Sequence, residues 1–293
     1  MSHAAFVPLR IFSSFTMLEG AIDPKKIAKQ ARALGFPAAA ITDRNGLYGS
    51  MAFSDACKGE GVQPIIGAML GVLRPGRPAN AAQVHDWITL YAQDARGYDN
   101  ICALVSMAHL DRPVEEVPHV TLDALEGRTD GVIALTAGGE GALARLFAED
   151  QPDAALAYAE RLEALFPDRL YVEICRRLDP VEGKAEAALL DLAYDRGLPL
   201  VATNPTCFTE PHFHEAHDVM LCIADSAYVD TADRRRSSPD AWMKPAAEMK
   251  RLFEDLPEAL ANTLVVAQRC AVAAPKRKPI LPSLAGDIEG EAA

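Results

Sequence analysis

Large rings are scarce in this sequence: aromatic residues make up 6% of 293. Any core must therefore be filled by Ala, Val, Leu and Ile, and alanine-rich stretches favour helix. Positive charge is also in short supply, with 29 Lys and Arg against 41 Asp and Glu, a net of −12. Nucleic-acid affinity rests largely on neutralising phosphates, so the balance argues against a stand-alone DNA binder. Two basic runs, 234–236 and 276–278, read as solvated loops rather than a binding groove. The six cysteines stand at 57, 102, 175, 207, 222 and 270. No two are near enough for a CxxC zinc or redox motif, and free thiols suit a reduced, cytoplasmic setting. No apolar stretch reaches the roughly 18 residues of a membrane span. The opening "MSHAAFVPLRIF" is broken by Arg10, so no secretory leader is expected. Neither GxGxxG nor GxxxxGK[ST] follows any apolar run, which removes the two commonest nucleotide cradles.

What is present is globular in character, 49% hydrophobic and 24% charged. Short apolar runs at 6–14, 37–43, 62–73, 86–93, 130–139, 169–177 and 198–208 predict seven strands. Amphipathic stretches at 23–35, 49–61, 97–110, 141–149, 152–165, 180–197, 212–224, 245–254 and 257–273 predict helices. Strands mostly followed by helices predict an α/β fold with a parallel sheet, closed into a barrel or open and doubly wound. After Val272, "AAPKRKPILPSLAGDIEGEAA" turns to Pro, Gly and charge and reads as a linker over 275–293, after a domain at 1–274. The chain is expected to be a piece of something longer.

Several strands end in polar residues: Ser13-Ser14, Asp43-Arg44, Thr136, Arg176-Arg177 and Asn204. In a (β/α) barrel such tips gather on one face, where active sites lie. The stretch "AAAITDRNGLYG" (38–49) is the most pointed case. A carboxylate at a strand tip invites a metal, yet the neighbouring Arg44 cannot ligate one. The glycine-rich "TAGGEGALARLF" (136–147) reads as a plain helix start rather than a phosphate site. Ser13-Ser14 lacks a nucleophile elbow and is expected to cap a turn.

The segments "FVPLRIFSSFTMLEGAIDPKKIAKQARALGFPAAAITDRNGLYGSMAFSDACKGEGVQPIIGAML", "GYDNICALVSMAHL", "GVIALTAG", "RGLPLVATN", "EAHDVMLCI" and "LPEALANTLVVAQRC" run in one order and register. Together they resemble the polymerase-and-histidinol-phosphatase (PHP) domain that opens bacterial replicative DNA polymerase III α chains, over nearly all of residues 5–285. The resemblance implies a distorted (β/α)7 barrel with C-terminal helices. It also implies that the nucleotidyl-transfer carboxylates, with their divalent metal, belong to a palm domain absent here, so this stretch needs no cofactor. Implied partners are the rest of the polymerase chain and a separate proofreading exonuclease subunit, with DNA met only through the intact polymerase and no membrane.

PHP barrels often hold divalent metals on His, Asp and Glu at the strand tips, where a metal-bound water attacks phosphate. By resemblance, this chain departs from that pattern almost throughout. Arg10 and Phe12 stand for a His-x-His pair, and Asp43 remains but is followed by Arg44. Met69 replaces a glutamate, Arg177 falls at a histidine position while Glu173 remains, and Pro205 and Cys207 replace the last ligands. This vestigial site implies no catalytic residue and no metal. A buried Asp43 without metal needs another partner. Arg10 or Arg44 is expected to pair with it, the alternative being that Asp43 caps the following turn while Arg44 meets solvent. His85, at a strand entry, is expected on the surface, and His109 and His119 have no ligand-spaced partner. His212, His214 and His217 with Cys207 make a local cluster that reads as structural rather than metal-binding. The expected function is a non-catalytic scaffold and dock for the exonuclease. The alternatives are a metal-dependent phosphoesterase or 3′–5′ proofreading exonuclease and a nucleic-acid module using Arg234, Arg235 and Arg236.

Overall fold

The computed structural model describes residues 3–76 and 83–277. Of the expected linker, 278–293 lie outside the described residues. Six strands form one sheet in sequence order: β1 (Ala38–Arg44), β2 (Gln63–Leu73), β3 (His85–Ala92), β4 (Val132–Leu135), β5 (Leu170–Cys175) and β6 (Leu200–Thr203). Nine α-helices are described: α1 (Pro24–Ala33), α2 (Ser50–Glu60), α3 (Ala95–Leu110), α4 (Ala142–Ala148), α5 (Pro152–Leu165), α6 (Pro180–Arg196), α7 (His214–Ala224), α8 (Ala246–Leu252) and α9 (Pro257–Arg269).

Local chemistry sets the helix starts. Asp23, Asp94 and Asp179 each accept a backbone N–H in the first turn of α1, α3 and α6, and Pro24 and Pro180 hold the first helical position. Gly197 ends α6 in the left-handed conformation, at φ 65°.

The sheet is mixed, which corrects the parallel expectation. β3 runs antiparallel to both β2 and β4, whereas β1–β2, β4–β5 and β5–β6 are parallel. The reason lies in residues 74–84, a Pro- and Gly-bearing stretch. A parallel return needs a crossover of a dozen or more residues, usually helical, and this connection is too short. The seventh expected strand is also corrected. Residues 6–14 form no ladder strand and make only isolated bridges, Ile11 to Thr206 and Ser13 to Ile22. The run still lies between the two edges of the sheet. Ala40 and Thr42 donate to the Pro8 and Ile11 carbonyls on one side (3.0 and 2.9 Å). On the other, Thr206 donates to Arg10 and Phe12 donates to Thr206 (both 2.9 Å). The result is a curled, barrel-like α/β fold.

Two apolar layers hold it. An outer core packs the helices on the sheet's convex side. An inner cluster including Val7, Leu9, Ala40, Ile65, Tyr91 and Val201 fills the concave side, and Val266, Ala267 and Cys270 of α9 and its end join it. Tyr91 donates its hydroxyl to the Leu9 carbonyl at 2.5 Å, tying the N-terminal run into that interior. Fully buried aliphatic side chains of this kind each contribute on the order of 2 kcal/mol.

Candidate functional site

The C-terminal ends of β1, β5 and β6, the middle of β2, the N-terminal half of β3 and the N-terminal run converge at one end of the sheet. Because β3 runs backwards, its entry rather than its tip lies there, as the pairing of Thr89 with Met69 and of Trp87 with Gly71 records.

Arg10 lies at the centre, 0% exposed. Its Nη1 donates to Glu173 Oε1 at 2.7 Å, and its Nη2 reaches Glu140 Oε2 at 3.2 Å and Met69 Sδ at 2.9 Å. Glu173 is fully buried and also accepts the Thr203 hydroxyl. Arg44 forms a two-pronged fork with Glu19, Nε to Oε2 at 2.7 Å and Nη2 to Oε1 at 2.6 Å, and Nη2 also reaches Glu140 Oε1 at 2.5 Å. Its guanidinium carbon sits 4.9 Å from the Phe12 ring centre and 4.5 Å from that of Trp87, a cation–π sandwich. Arg177 pairs with Glu182 (Nη2 to Oε1, 2.7 Å; Nε to Oε1, 3.0 Å), and its backbone N–H donates to the same carboxylate. Glu140 therefore bridges Arg10 and Arg44, with Arg177 near enough to add to its field.

The charges respond accordingly. Burial pushes the Glu140 carboxyl up, but Arg44, Arg10 and Arg177 outweigh it and hold it at about 2, from an ordinary 4.5. Burial disfavours the charged form of Arg44, yet Glu140 and Glu19 more than offset this and its pKa rises. Arg10 behaves in the same way against Glu173 and Glu140.

Asp43 corrects the expected pairing. Among the described residues it forms no ion pair with Arg10 or Arg44. Its Oδ1 accepts the Ser13 backbone N–H and the Thr16 hydroxyl, and its Oδ2 accepts the Ser13 hydroxyl, all at 2.7 Å. The alternative is corrected as well: Asp43 caps the turn at 13–16 of the N-terminal run rather than the turn that follows it, and Arg44 is not turned to solvent. Burial raises the Asp43 pKa, and the Ser13 and Thr16 hydrogen bonds only partly oppose it. Ser13 Oγ also accepts the Phe15 N–H at 3.2 Å, the expected turn cap.

Arg10, Phe12, Arg44, Met69 and Glu173 are thus brought together, and Arg177 adjoins them. Cys207 lines the cleft above, its thiol pushed up to about 12 by burial. Pro205 is buried beside Asn204, whose side-chain amide donates to the Asp240 and Trp242 carbonyls. The histidines serve the fold: His217 Nε2 lies 2.7 Å from the Glu19 carbonyl and Nδ1 2.7 Å from Ser237 Oγ, and His214 meets the Ser237 carbonyl at 3.0 Å. His109 meets the Asn45 carbonyl at 2.7 Å, whereas His212 is exposed beside Glu210. His85 is not the expected surface residue. It is half-buried and packs against His119 with ring centres 4.4 Å apart and the rings tilted by 50°, because the backwards β3 turns its entry inward. The 234–236 run is not simply solvated either, since Arg234 forks onto Asp218 (2.9 and 2.5 Å) and Arg235 pairs with Asp225.

Glu19, Glu140 and Trp87 were not singled out from sequence. A signal existed for the acids: three arginines at strand ends require carboxylates, and Glu19 and Glu140 each follow such an end within a few residues. Trp87 became visible only with the direction of β3. Above these groups lies a cleft of about 450 Å³, walled by Arg44, Glu140, Arg177, Cys207, His217 and Arg236 among others. Among the described residues no group of three or more His, Cys, Asp or Glu is arranged to hold a metal. No described helix is long and apolar enough to cross a membrane.

A family model described as PHP domain matches residues 8–177. The chain is 43% identical over 289 residues to a DNA polymerase III subunit alpha of Caulobacter vibrioides, covering 98% of this chain and 25% of that protein. Proteins of the same name from Rickettsia prowazekii and Escherichia coli K12 are 35% and 34% identical, covering 95% and 99% of this chain and 23% and 25% of theirs. The chain thus spans about a quarter of the length of the curated relatives it matches. Among solved structures, a putative metal-dependent phosphoesterase from Bifidobacterium adolescentis aligns with a TM-score of 0.47 at 16% identity, over 68% of this chain and 86% of that one.

Proposed function

This chain belongs to the PHP domain family, and on that premise we propose that it is a non-catalytic scaffold and protein dock in a replicative polymerase III α chain. The observation that carries the reading is the pair of guanidinium groups, Arg10 and Arg44, held between Glu173, Glu140 and Glu19. In other PHP barrels, metal chemistry needs converging lone pairs. Here Glu140 and Glu19 point theirs, and Glu173 points its Oε1, at guanidinium N–H groups, and Asp43 spends both oxygens on Ser13 and Thr16. Met69 turns its sulfur toward the Arg10 guanidinium. These residues do not fit a divalent metal. Two permanent cations supply fixed positive charge instead, so Arg10, Phe12, Asp43, Arg44, Met69, Glu173, Arg177, Pro205 and Cys207 act in stability and shape.

Docking is supported by relatives named DNA polymerase III subunit alpha, of which this chain covers only about a quarter. A quarter-length PHP module beside a polymerase body supports a role in holding the assembly together. The partners would be the rest of that chain, reached through a linker over 275–293, and the separate proofreading exonuclease subunit. DNA would be met only through the whole assembly, in the cytoplasm, with the divalent metal of nucleotidyl transfer outside these residues.

Two measurements test this. Elemental analysis and a phosphodiesterase assay with manganese or zinc are expected to give substoichiometric metal and no turnover. Stoichiometric metal, with turnover abolished by Asp43→Asn, refutes the scaffold reading. Size exclusion with the cognate exonuclease subunit at about tens of micromolar is expected to show co-elution, and its absence refutes docking.

A further inference from the structure

The helix α7 is apolar on two opposite faces. Its inner face buries His217, Leu221 and Cys222. Its outer face carries Ala216, Val219, Met220 and Ile223 at helical spacing, with Val219 46% and Ile223 64% exposed. Tyr228 and Val229 extend the patch just past the helix end, 80% and 55% exposed. A surface helix normally keeps one face polar, and one that is apolar all round is usually covered. The helix cannot roll to hide this second face. Asp218 is gripped by Arg234 and by the Ser237 N–H (2.9 Å), and His217 is held between Ser237 and the Glu19 carbonyl. Arg234 also donates to the Val229 carbonyl at 3.2 Å, so the extension is fixed to the same frame.

The surround decides what fits. Residues 209–236 carry six carboxylates and three arginines. Arg234 is engaged by Asp218 and Arg235 by Asp225, while Glu215, Asp230 and Asp233 form no ion pair among the described residues. A second copy of this chain would set acid against acid, and DNA would be repelled.

We infer that the outward face of α7, with Tyr228 and Val229, docks a separate protein that presents apolar residues ringed by Lys and Arg. This rests on the docking reading above and assigns it a surface. The same arrangement links dock to site: Glu19, which forks Arg44, lends its backbone carbonyl to His217, so the arginine network sets the position of the docking helix.

The test uses this chain and its cognate proofreading exonuclease subunit, titrated by calorimetry. The double variant Val219→Glu/Ile223→Glu is expected to weaken binding by at least about tenfold. Glu215→Lys/Asp230→Lys/Asp233→Lys is expected to weaken it and reverse its salt dependence. Met17→Glu, on an exposed apolar residue elsewhere, leaves it unchanged. Val219→Ser/Ile223→Ser replaces the glutamates if circular dichroism shows them unfolded. Wild-type affinity in the α7 variants overturns this surface while leaving docking intact. No binding by the wild type overturns docking itself and this inference with it. Concentration-dependent self-association abolished by Val219→Glu/Ile223→Glu assigns the face to a second copy and also overturns the inference.

Discussion

Replacing Arg10 with methionine isolates the central ion pair. Arg10 and Glu173 are both 0% exposed and 2.7 Å apart. Glu173 Oε2 already has no partner among the described residues. Without Arg10, the Glu173 charge would keep only the Thr203 hydroxyl and the Cys175 thiol at 3.5 Å. Leaving one member of a buried pair uncompensated typically costs about 3–5 kcal/mol. Glu140 is less affected, because Arg44 still holds it at 2.5 Å. Urea unfolding, followed through Trp87 and Trp242, the two tryptophans of the chain, measures the loss. Removing both charges as Arg10→Met/Glu173→Met should recover roughly 2–4 kcal/mol of it, since a matched apolar pair is often no worse than a buried ion pair. A loss under about 1 kcal/mol would falsify the view that these arginines balance buried carboxylates.

Arg44→His, which restores a potential ligand type, is expected to lower stability by about 1–3 kcal/mol and to bind no zinc by elemental analysis, because Arg10, Phe12 and Met69 remain. Glu140 has its pKa depressed from 4.5 to about 2, so its contribution is complete above pH 4.5 and disappears as pH falls toward 2. An acid titration of wild type against Glu140→Gln should show the difference between them, of order 2 kcal/mol, vanish over that window. Gly97→Ala places a methyl 1.8 Å from the Gly131 carbonyl oxygen. Because the backbone must shift, melting should reveal a loss of about 2 kcal/mol or more.

Much of the helical framework was legible beforehand because its signals are local. Asp23-Pro24 at the head of α1 and Gly197 after α6 mark ends that need no tertiary context. The α/β alternation was likewise written in the periods of the apolar runs. The direction of β3 was half-legible: the sequence predicts no helix between the runs at 62–73 and 86–93, yet the strand pattern carries no arrow. The polar tips pointed to the right end of the sheet, and Arg10, Phe12, Arg44, Met69 and Glu173 do meet there. Their pairing was misjudged because adjacency in sequence made Asp43 the obvious partner for Arg44. Successive strand residues project to opposite faces, so the Arg44 side chain is carried away from Asp43 and toward Glu19 and Glu140.

Sequence alone determined the helices, the α/β class and the end of the sheet at which charge would collect, since caps, periods and strand-tip residues act over a few positions. Tertiary structure alone decided which carboxylate each arginine meets, that Trp87 and Phe12 sandwich Arg44, and that α7 is pinned with an apolar face outward. The physical reason is that burial in a shared low-dielectric space is set by chain segments more than a hundred residues apart, as with Arg10 and Glu173, and no local pattern encodes that distance.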